Sequence, residues 1–598
     1  MTIKFRWLDE PPDLSGDTYD EPPRWPEWLL QRHRGRMLLP SEAAPAVGVP
    51  DQPDQPAEPF AVPIESTAYR ADTLLIPNVL LRNQPLVSAI QQAAGVVFQL
   101  PPPLTKVLPA DQADHLDEIP RPVALTPADL TSPALVDAWT ALRRIRSAVG
   151  RNELRWQDGK GNEVTPSLEQ RKWLLEVSLD HLLLGAYGGV PVWEQDDVPG
   201  QAPSGGYRPE GRHPIAALVG LPKRDESEVF VMADGTKRRP VVAVLDTGVR
   251  DHPWFVVPLE VIKDGGSESF LHLSVPTQEA LKAHQPVVAG LPHTNVLFDY
   301  HDVPIFAEEL SDRVNRAVGH GTFIAGLIHQ HAPDADVLSL RVMRSDNVGY
   351  ESDVLLALWL LVDRVKLAQR DPANAWEMID VVSISLGYYH ETWRAEKLAR
   401  LSAVIKELTS LGVVVVAAAG NDSSRRPFLP AAIASLTTSL PLVVGVGAAN
   451  PNATTSWYSN GGASASAEAP GTCVVSIFPP DIDGSRSPSD KAASDGRQSV
   501  DEDSFSSGFA LWSGTSFAAP VLAAAVARKL VEIGASTELT QQATVDRALA
   551  ALRRLAGTSL IAEFNDLDAR IKLAGKDQSE RRSKLKKRLK DEKKSVDQ

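Results

Sequence analysis

Cysteine is nearly absent: Cys473 stands alone in 598 residues, so no disulfide can form within the chain. Stability must come from packing, and the scarcity leans mildly toward a reducing compartment. Long apolar runs are missing as well. The strongest, LLALWLLV at 355–362 and VVVVAAA at 413–419, fall short of the roughly 20 residues a bilayer helix needs. The opening MTIKFRWLDEPPDLSGD brings acids and a Pro-Pro pair where an export signal holds its apolar stretch. Positive charge is in the minority, 61 Lys and Arg against 76 Asp and Glu, for a net charge of −15. That balance argues against a surface built to grip nucleic acid. The deficits together predict a soluble, cytoplasmic protein with no membrane or nucleic-acid partner.

What is present is an ordinary globular composition, 43% hydrophobic and 23% charged. A single core rarely grows beyond roughly 250–300 residues, so the length implies several domains. Prolines at 40, 45, 50, 53, 56, 59 and 63 mark an extended stretch within a Pro-rich, partly disordered segment, 1–66. Just ahead of it, Trp25, Trp28 and Leu29 fit a short helix covering the protein's own surface. Residues 67–150 read as a small α+β domain. Its strands are DTLLIPNVLL and GVVFQL, its helices PLVSAIQQAA and 133–149. Residues 151–235 read as a connecting region.

From 236 to 535 buried strands alternate with helices. They predict an α/β fold, a mainly parallel sheet flanked by helices. The strands are RRPVVAVLD, ADVLSLRVM, IDVVSISLG, GVVVVAAAG and LPLVVGVGA; the helices fit 321–330, 352–368, 392–411 and 516–533. Two stretches interrupt the rhythm, 255–311 and the Ser/Asp/Gly-rich 475–511, the latter most simply a solvated surface insertion. The remainder, 536–598, reads as a helical and basic tail. Its end, 576–598, holds ten Lys and Arg against five acids, a solvated terminus rather than a binding device.

Four short stretches carry chemistry. Asp246 ends an apolar strand in VLDTGV, at the edge where open α/β sheets bind ligands, though a turn or cap residue would look the same. His320 stands between glycines in VGHGT and opens a small-residue helix; alone, it reads as a satisfied histidine at a helix start. Ser516 in GTSFAAP enters an Ala-rich helix with Pro520 in the first turn. Unpaired N–H groups and positive potential gather there, but an N-capping serine is the common alternative. Asn421 follows the strand GVVVVAAAG, where a side-chain amide can donate to a developing oxyanion.

Taken in order, DTGV, GHGT, AAGN and GTSFAAP resemble the subtilisin-type serine peptidases, family S8. The resemblance is collinear over 236–535 and extends to SISLG at 383–387, SNGG at 459–462 and APG at 469–471. It implies an endopeptidase with Ser516 as nucleophile, His320 as general base, Asp246 as its orienting partner and Asn421 in the oxyanion hole. Ser385, Leu386 and Gly387, with Ala418, Ala419 and Gly420, would line the substrate-binding walls. The expected partner is a protein or peptide substrate, cleaved in a regulated way inside the cell. Many relatives bind structural Ca2+, yet no compact carboxylate cluster stands out; no metal ligand is assigned and no cofactor is expected.

A cytoplasmic peptidase needs restraint, and the β-α-β segment at 72–100 is a candidate prodomain that inhibits in cis. A fused recognition domain is the bland alternative. Cleavage of such a prodomain is expected in the loop-like stretch 195–238. The competing functional reading is a catalytically silent scaffold of the same fold.

Overall fold

The computed structural model describes residues 3–5, 25–42, 64–103, 119–128, 136–158, 160–185, 212–216, 220–225, 229–232, 235–286, 297, 299–303, 315, 317–392, 398–436, 441–483, 492–497, 499, 504–534 and 539–556. The basic run at 576–598 and most of the Pro-rich stretch lie outside them.

The N-terminal unit comprises α1 (Glu27–Arg32), β1 (Gly35–Leu38), β2 (Thr67–Pro77), α2 (Gln84–Ala94), β3 (Val96–Gln99), β4 (Pro120–Pro127), α3 (Ala138–Gly150) and β5 (Ser178–Gly185). Local signals set the helix ends. The Asn83 side chain accepts from Leu86 N ahead of α2, Gly95 closes it at φ 73°, and the Asp137 side chain accepts from Thr140 N ahead of α3. The sheet runs β5-β2-β4-β3, all neighbours antiparallel, with β1 also on β2. This is a split β-α-β arrangement. Leu86, Ile90, Leu142 and Ile145 pack with Leu74, Ile76 and Val123 in its core.

As expected, α1 covers the protein's own surface: Leu29 and Leu30 are buried in a cluster with Leu182 and Tyr350. The connecting region 151–235 differs from expectation. Its first part supplies a helix, Leu168–Leu175, opened by a Ser167/Gln170 capping box, and then β5, which completes the sheet. The sequence SLDHLLLG did not read as a strand because Asp180 and His181 break its apolar run; both are fully buried against partners described below.

The larger unit comprises β6 (Val241–Asp246), β7 (Leu271–Leu273), α4 (His320–His331), β8 (Asp336–Arg341), β9 (Val348–Tyr350), α5 (Glu351–Arg370), β10 (Val381–Ile384), β11 (Leu386–Gly387), β12 (Val414–Ala418), β13 (Val443–Ala449), β14 (Ala467–Pro470), β15 (Phe509–Trp512) and α6 (Thr515–Glu532). The sheet order is β14-β13-β12-β10-β6-β8-β7, parallel throughout, with Lys4–Phe5 added antiparallel on β14. The α/β expectation therefore holds. Val and Ala runs suit strands covered on both faces, and every residue of β6, β10, β12 and β13 is buried. Among the described residues no helix is long and apolar enough to cross a membrane.

The described ends of the 475–511 insertion are less solvated than its composition suggested, while 492–497 is exposed as expected. Phe478, Ile482 and Phe505 are buried, and the Arg212 guanidinium lies 4.9 Å above the Phe505 ring. Two phenylalanines and an isoleucine spread among many small polar residues are enough to pin both ends of the segment.

A candidate active site at the carboxyl edge of the sheet

Asp246 is the last residue of β6 and is wholly excluded from solvent. Its Oδ1 accepts two hydrogen bonds, from Thr247 N at 2.8 Å and from His320 Nδ1 at 2.7 Å. A carboxylate only accepts, so the Nδ1 proton of His320 is fixed and Nε2 is left as the basic atom. His320 itself begins α4. Gly319 precedes it at φ 80°, and a Cβ on Gly321 would meet the Gly248 carbonyl oxygen at 2.0 Å. These glycines let the helix start press against the turn that follows Asp246.

Aromatic rings enclose the imidazole. Trp512 stands edge-on at 5.4 Å and Phe517 lies at 5.2 Å, which sets the start of α6 beside His320. Ser516 is the second residue of α6 and is buried. Its Oγ donates to the Ser385 carbonyl at 3.0 Å, and the Ser385 hydroxyl returns a bond to Ser516 O at 2.8 Å. Asn421 reaches the same helix start, where its Oδ1 accepts from Thr515 N at 3.0 Å. That bond orients the amide, and its Nδ2 is buried without a hydrogen bond. An orphaned buried donor beside a helix N-terminus is poised for an acceptor.

Of the residues expected to line substrate, Leu386 and Gly387 form β11 and carry a strand partner, with Ser385 immediately before them. That partner is β5. Leu184 pairs with Gly387 and Gly185 with Leu386 on one side, while Leu182, Leu183 and Leu184 pair with Tyr350, Gly349 and Val348 on the other. The N-terminal unit thus threads a strand between β9 and β11, next to Ser385. Ala418, Ala419 and Gly420 serve differently. Ala419 N is held by Val446 O at 2.9 Å and Gly420 N by Thr515 Oγ1 at 3.1 Å, so this stretch carries the chain to Asn421 and takes no part in the β5 ladder.

Asp302 escaped the sequence reading. It lies inside the 255–311 insertion with no motif around it, and only the folded chain brings it to the site. Its Oδ2 accepts from Thr247 Oγ1 at 3.0 Å and from Gly319 N at 2.7 Å, and its Oδ1 from Ser345 Oγ. The Thr247 hydroxyl oxygen in turn accepts from Gly321 N at 3.1 Å. One carboxylate therefore braces the residues flanking both Asp246 and His320. Burial pushes its pKa up, against the pull of the Ser345, Gly319 and Thr247 hydrogen bonds and the Arg341 charge.

Among the described residues the one group of side chains able to converge on a cation is His181, His390 and Glu391. Two imidazoles do not suit calcium, which takes oxygen ligands. Both His181 nitrogens are moreover engaged, Nδ1 with Glu351 Oε2 at 2.6 Å and Nε2 with Glu391 Oε2 at 2.8 Å. The cluster is an ion-pair clamp, and no residue is assigned to Ca2+.

Replacing Asp302 by alanine strands the Thr247 hydroxyl and the Gly319 N–H, while the Ser345 hydroxyl keeps the Val303 carbonyl at 2.7 Å. A lost acceptor at a buried donor costs about 1–3 kcal/mol, so Asp302→Ala lowers the thermal unfolding midpoint by several degrees. A midpoint equal to that of the parent chain, measured by calorimetry, would show that the brace carries no energy.

A subtilisin-like proteinase, Mp1 from Magnaporthiopsis poae, is 28% identical over 167 residues, 27% of this chain. The match spans 37% of that relative's length, little more than a third. The crystal structure of a lanthipeptide protease aligns over 49% of this chain and 73% of its own, at 21% identity and a TM-score of 0.32. The family model described as the subtilase family matches residues 237–567, more than half of the sequence. Together with the buried acid, imidazole, hydroxyl and amide gathered at one sheet edge, that match identifies the chain as a member of the subtilase family of serine peptidases.

Proposed function

We propose that the chain is a serine endopeptidase whose reaction runs through Ser516, His320 and Asp246, with Asn421 as an oxyanion donor. The observation that carries this reading is the pairing of His320 Nδ1 with the buried Asp246 carboxylate beside the Asn421 Nδ2 that has no acceptor. His320 Nε2 takes the proton as Ser516 Oγ attacks a peptide carbonyl carbon. The tetrahedral oxyanion is held by Asn421 Nδ2 and by the N–H of Ser516 in the first turn of α6, where no intrahelical carbonyl competes. Collapse breaks the C–N bond, and the imidazolium gives its proton to the leaving amine. Water then enters by the same base and releases the acid from the acyl-enzyme. A second reading, a silent scaffold of the same fold, is favoured by one contact: the Ser516 hydroxyl points to the Ser385 carbonyl. A fluorophosphonate separates the two, since only an activated Ser516 takes the label.

The N-terminal unit fits an inhibitor acting in cis, inside the cell, on the enzyme's own cleft. Support comes from β5, which fills the gap between β9 and β11 as an extended peptide substrate would. Asp180 anchors that strand by accepting from Ser352 N and Oγ, both at 3.0 Å, in the positively polarised first turn of α5. Gly185 pairs with Leu386, one residue from the Ser385 carbonyl that accepts from Ser516 Oγ, so self-cleavage falls just beyond Gly185. That is ahead of the 195–238 stretch to which loop composition pointed. Wild-type chain accordingly yields a fragment starting shortly after Gly185 by mass spectrometry, and Ser516→Ala stays whole. Asn421→Ala slows turnover by about 10²–10³, the size of effect established for the same kind of donor in subtilisin. Equal turnover of Asn421→Ala and wild type would remove the amide from the mechanism.

The His181 clamp gives this restraint a pH dependence. Burial alone would lower its pKa, but Glu351 and Glu391 outweigh that and push it up to about 10. Around it lie Tyr388, stacked at 4.8 Å, and His390, which burial takes down to about 4; Arg146 acts on Glu391. The free imidazole titrates near 6.5. The docked form, with the higher pKa, therefore keeps its full advantage below about pH 6.5 and loses it as pH rises toward 10. Activity of His181→Gln relative to wild type is accordingly greatest at or below pH 6.5 and falls as pH rises. A flat ratio would exclude the clamp from regulation.

A further inference from the structure

The strand in the cleft also shows what the cleft can accept. This step rests on the peptidase reading above and concerns the residue type a substrate must present. Leu183 is buried in the same core cluster as Met343 and Leu386 of the larger unit. A Cβ built on Gly349 would touch the Leu183 Cβ at 3.7 Å and the Leu386 Cδ1 at 3.8 Å, so these leucines flank the β9 backbone. Two residues on, and hence on the same face of the strand, sits Gly185.

Gly185 has no room for a side chain. A Cβ there would meet the Asn347 Oδ1 at 2.2 Å and the Met343 Cε and Sδ at 3.1 Å. Asn347 has little freedom to withdraw. It is 3% exposed, occupies a left-handed turn at φ 78°, and closes that turn through its N–H to the Arg344 carbonyl at 2.9 Å. It grips Gly185 from both of its polar ends. The Asn347 carbonyl accepts from Gly185 N at 3.3 Å, and Nδ2 donates to the Gly185 carbonyl at 3.4 Å. The remaining atom, Oδ1, is buried with no hydrogen bond and faces the space where a Cβ would project. Met343, fully buried, closes the other side, and its own N–H is tied to the Asp246 carbonyl at 3.0 Å. The narrow point is therefore built onto the end of the strand that carries Asp246.

We infer that Asn347 and Met343 form a glycine-selecting subsite, and that the enzyme acts on extended peptides carrying Leu-X-Gly on the amino side of the scissile bond. A substrate entering between β9 and β11 takes the register of Leu182–Gly185. Leucine, or a residue of similar size and polarity, fills the place of Leu183, X is the residue in the place of Leu184, and glycine takes the place of Gly185. Alanine at that last position must push the Asn347 amide away, losing its bond to the substrate carbonyl, or shift Met343 and with it the strand end at Asp246.

The test uses the full chain and two extended peptides that differ only in Leu-Leu-Gly against Leu-Leu-Ala, cleavage being followed by mass spectrometry. The chain's own β5 competes with both peptides alike, so their kcat/KM ratio is unaffected by it. One excess methyl in a site too small for it is worth about 10–200-fold, so glycine is preferred by at least about tenfold. Asn347→Gly retains the left-handed backbone and removes the amide; it brings the ratio to within about threefold, chiefly by faster cleavage of the alanine peptide. The peptide comparison itself needs no variant, so misfolding of Asn347→Gly leaves the main test standing. Equal cleavage of the two peptides by wild type overturns the subsite, as does failure to cut either while Ser516 still takes a fluorophosphonate. Failure to cut either with Ser516 also unlabelled overturns the peptidase reading instead.

Discussion

The arrangement depends on a carboxylate removed from water. Asp246 lies at the end of a strand whose every residue is buried, and an ionised group there is tolerable only when hydrogen bonds answer its charge. That requirement governs what surrounds it. The next backbone N–H must turn back onto Oδ1, and the imidazole of a distant helix must arrive within bonding distance. The backbones carrying them must then pass closer than any side chain allows, which is why Gly321 faces the Gly248 carbonyl. Asp302 makes the same demand one layer further out and meets it with Thr247, Gly319 and Ser345.

Much of this was legible in the sequence, for identifiable reasons. Buried parallel strands are short, apolar and β-branched, so β6, β8, β10, β12 and β13 stood out, and the helices between them were placed to within a turn apart from the one at 392–411, which begins at Ala399. Asp246, His320, Asn421 and Ser516 could be picked because each sits at or near an element end within two residues of a glycine. Asp302 could not be, since a carboxylate in an irregular insertion has no local pattern and gains its meaning from partners 17 to 55 residues away. The strand β5 was missed for a related reason. Asp180 and His181 look like surface residues until Ser352, Glu351 and Glu391 are seen to receive them. Polar residues whose partners lie on another unit are where pattern reading fails.

The two units share more than a boundary. β5 pairs with β2 of the N-terminal unit over its first half and lies between β9 and β11 over its last residues, so a single strand finishes one fold and fills the groove of the next. Side chains reinforce the union: Glu65 pairs with Arg426, and Arg400 reaches the Leu75 carbonyl and the Ser178 hydroxyl. The region read from sequence as a separate small domain is joined to the larger unit by main-chain ladders as well as by these contacts.

The two-residue strand Lys4–Phe5 adds a last consideration. It lies antiparallel on β14, at the outermost position of the large sheet. An uncovered border strand offers a row of unsatisfied main-chain groups that can recruit a neighbouring molecule. Lys4 and Phe5 blunt that border, and they come from the same chain end as the unit that fills the groove. Proteolytic trimming from this end would thus do two things at once, clearing the groove and baring the border, so a processed form inherits a self-association hazard that the intact chain keeps covered.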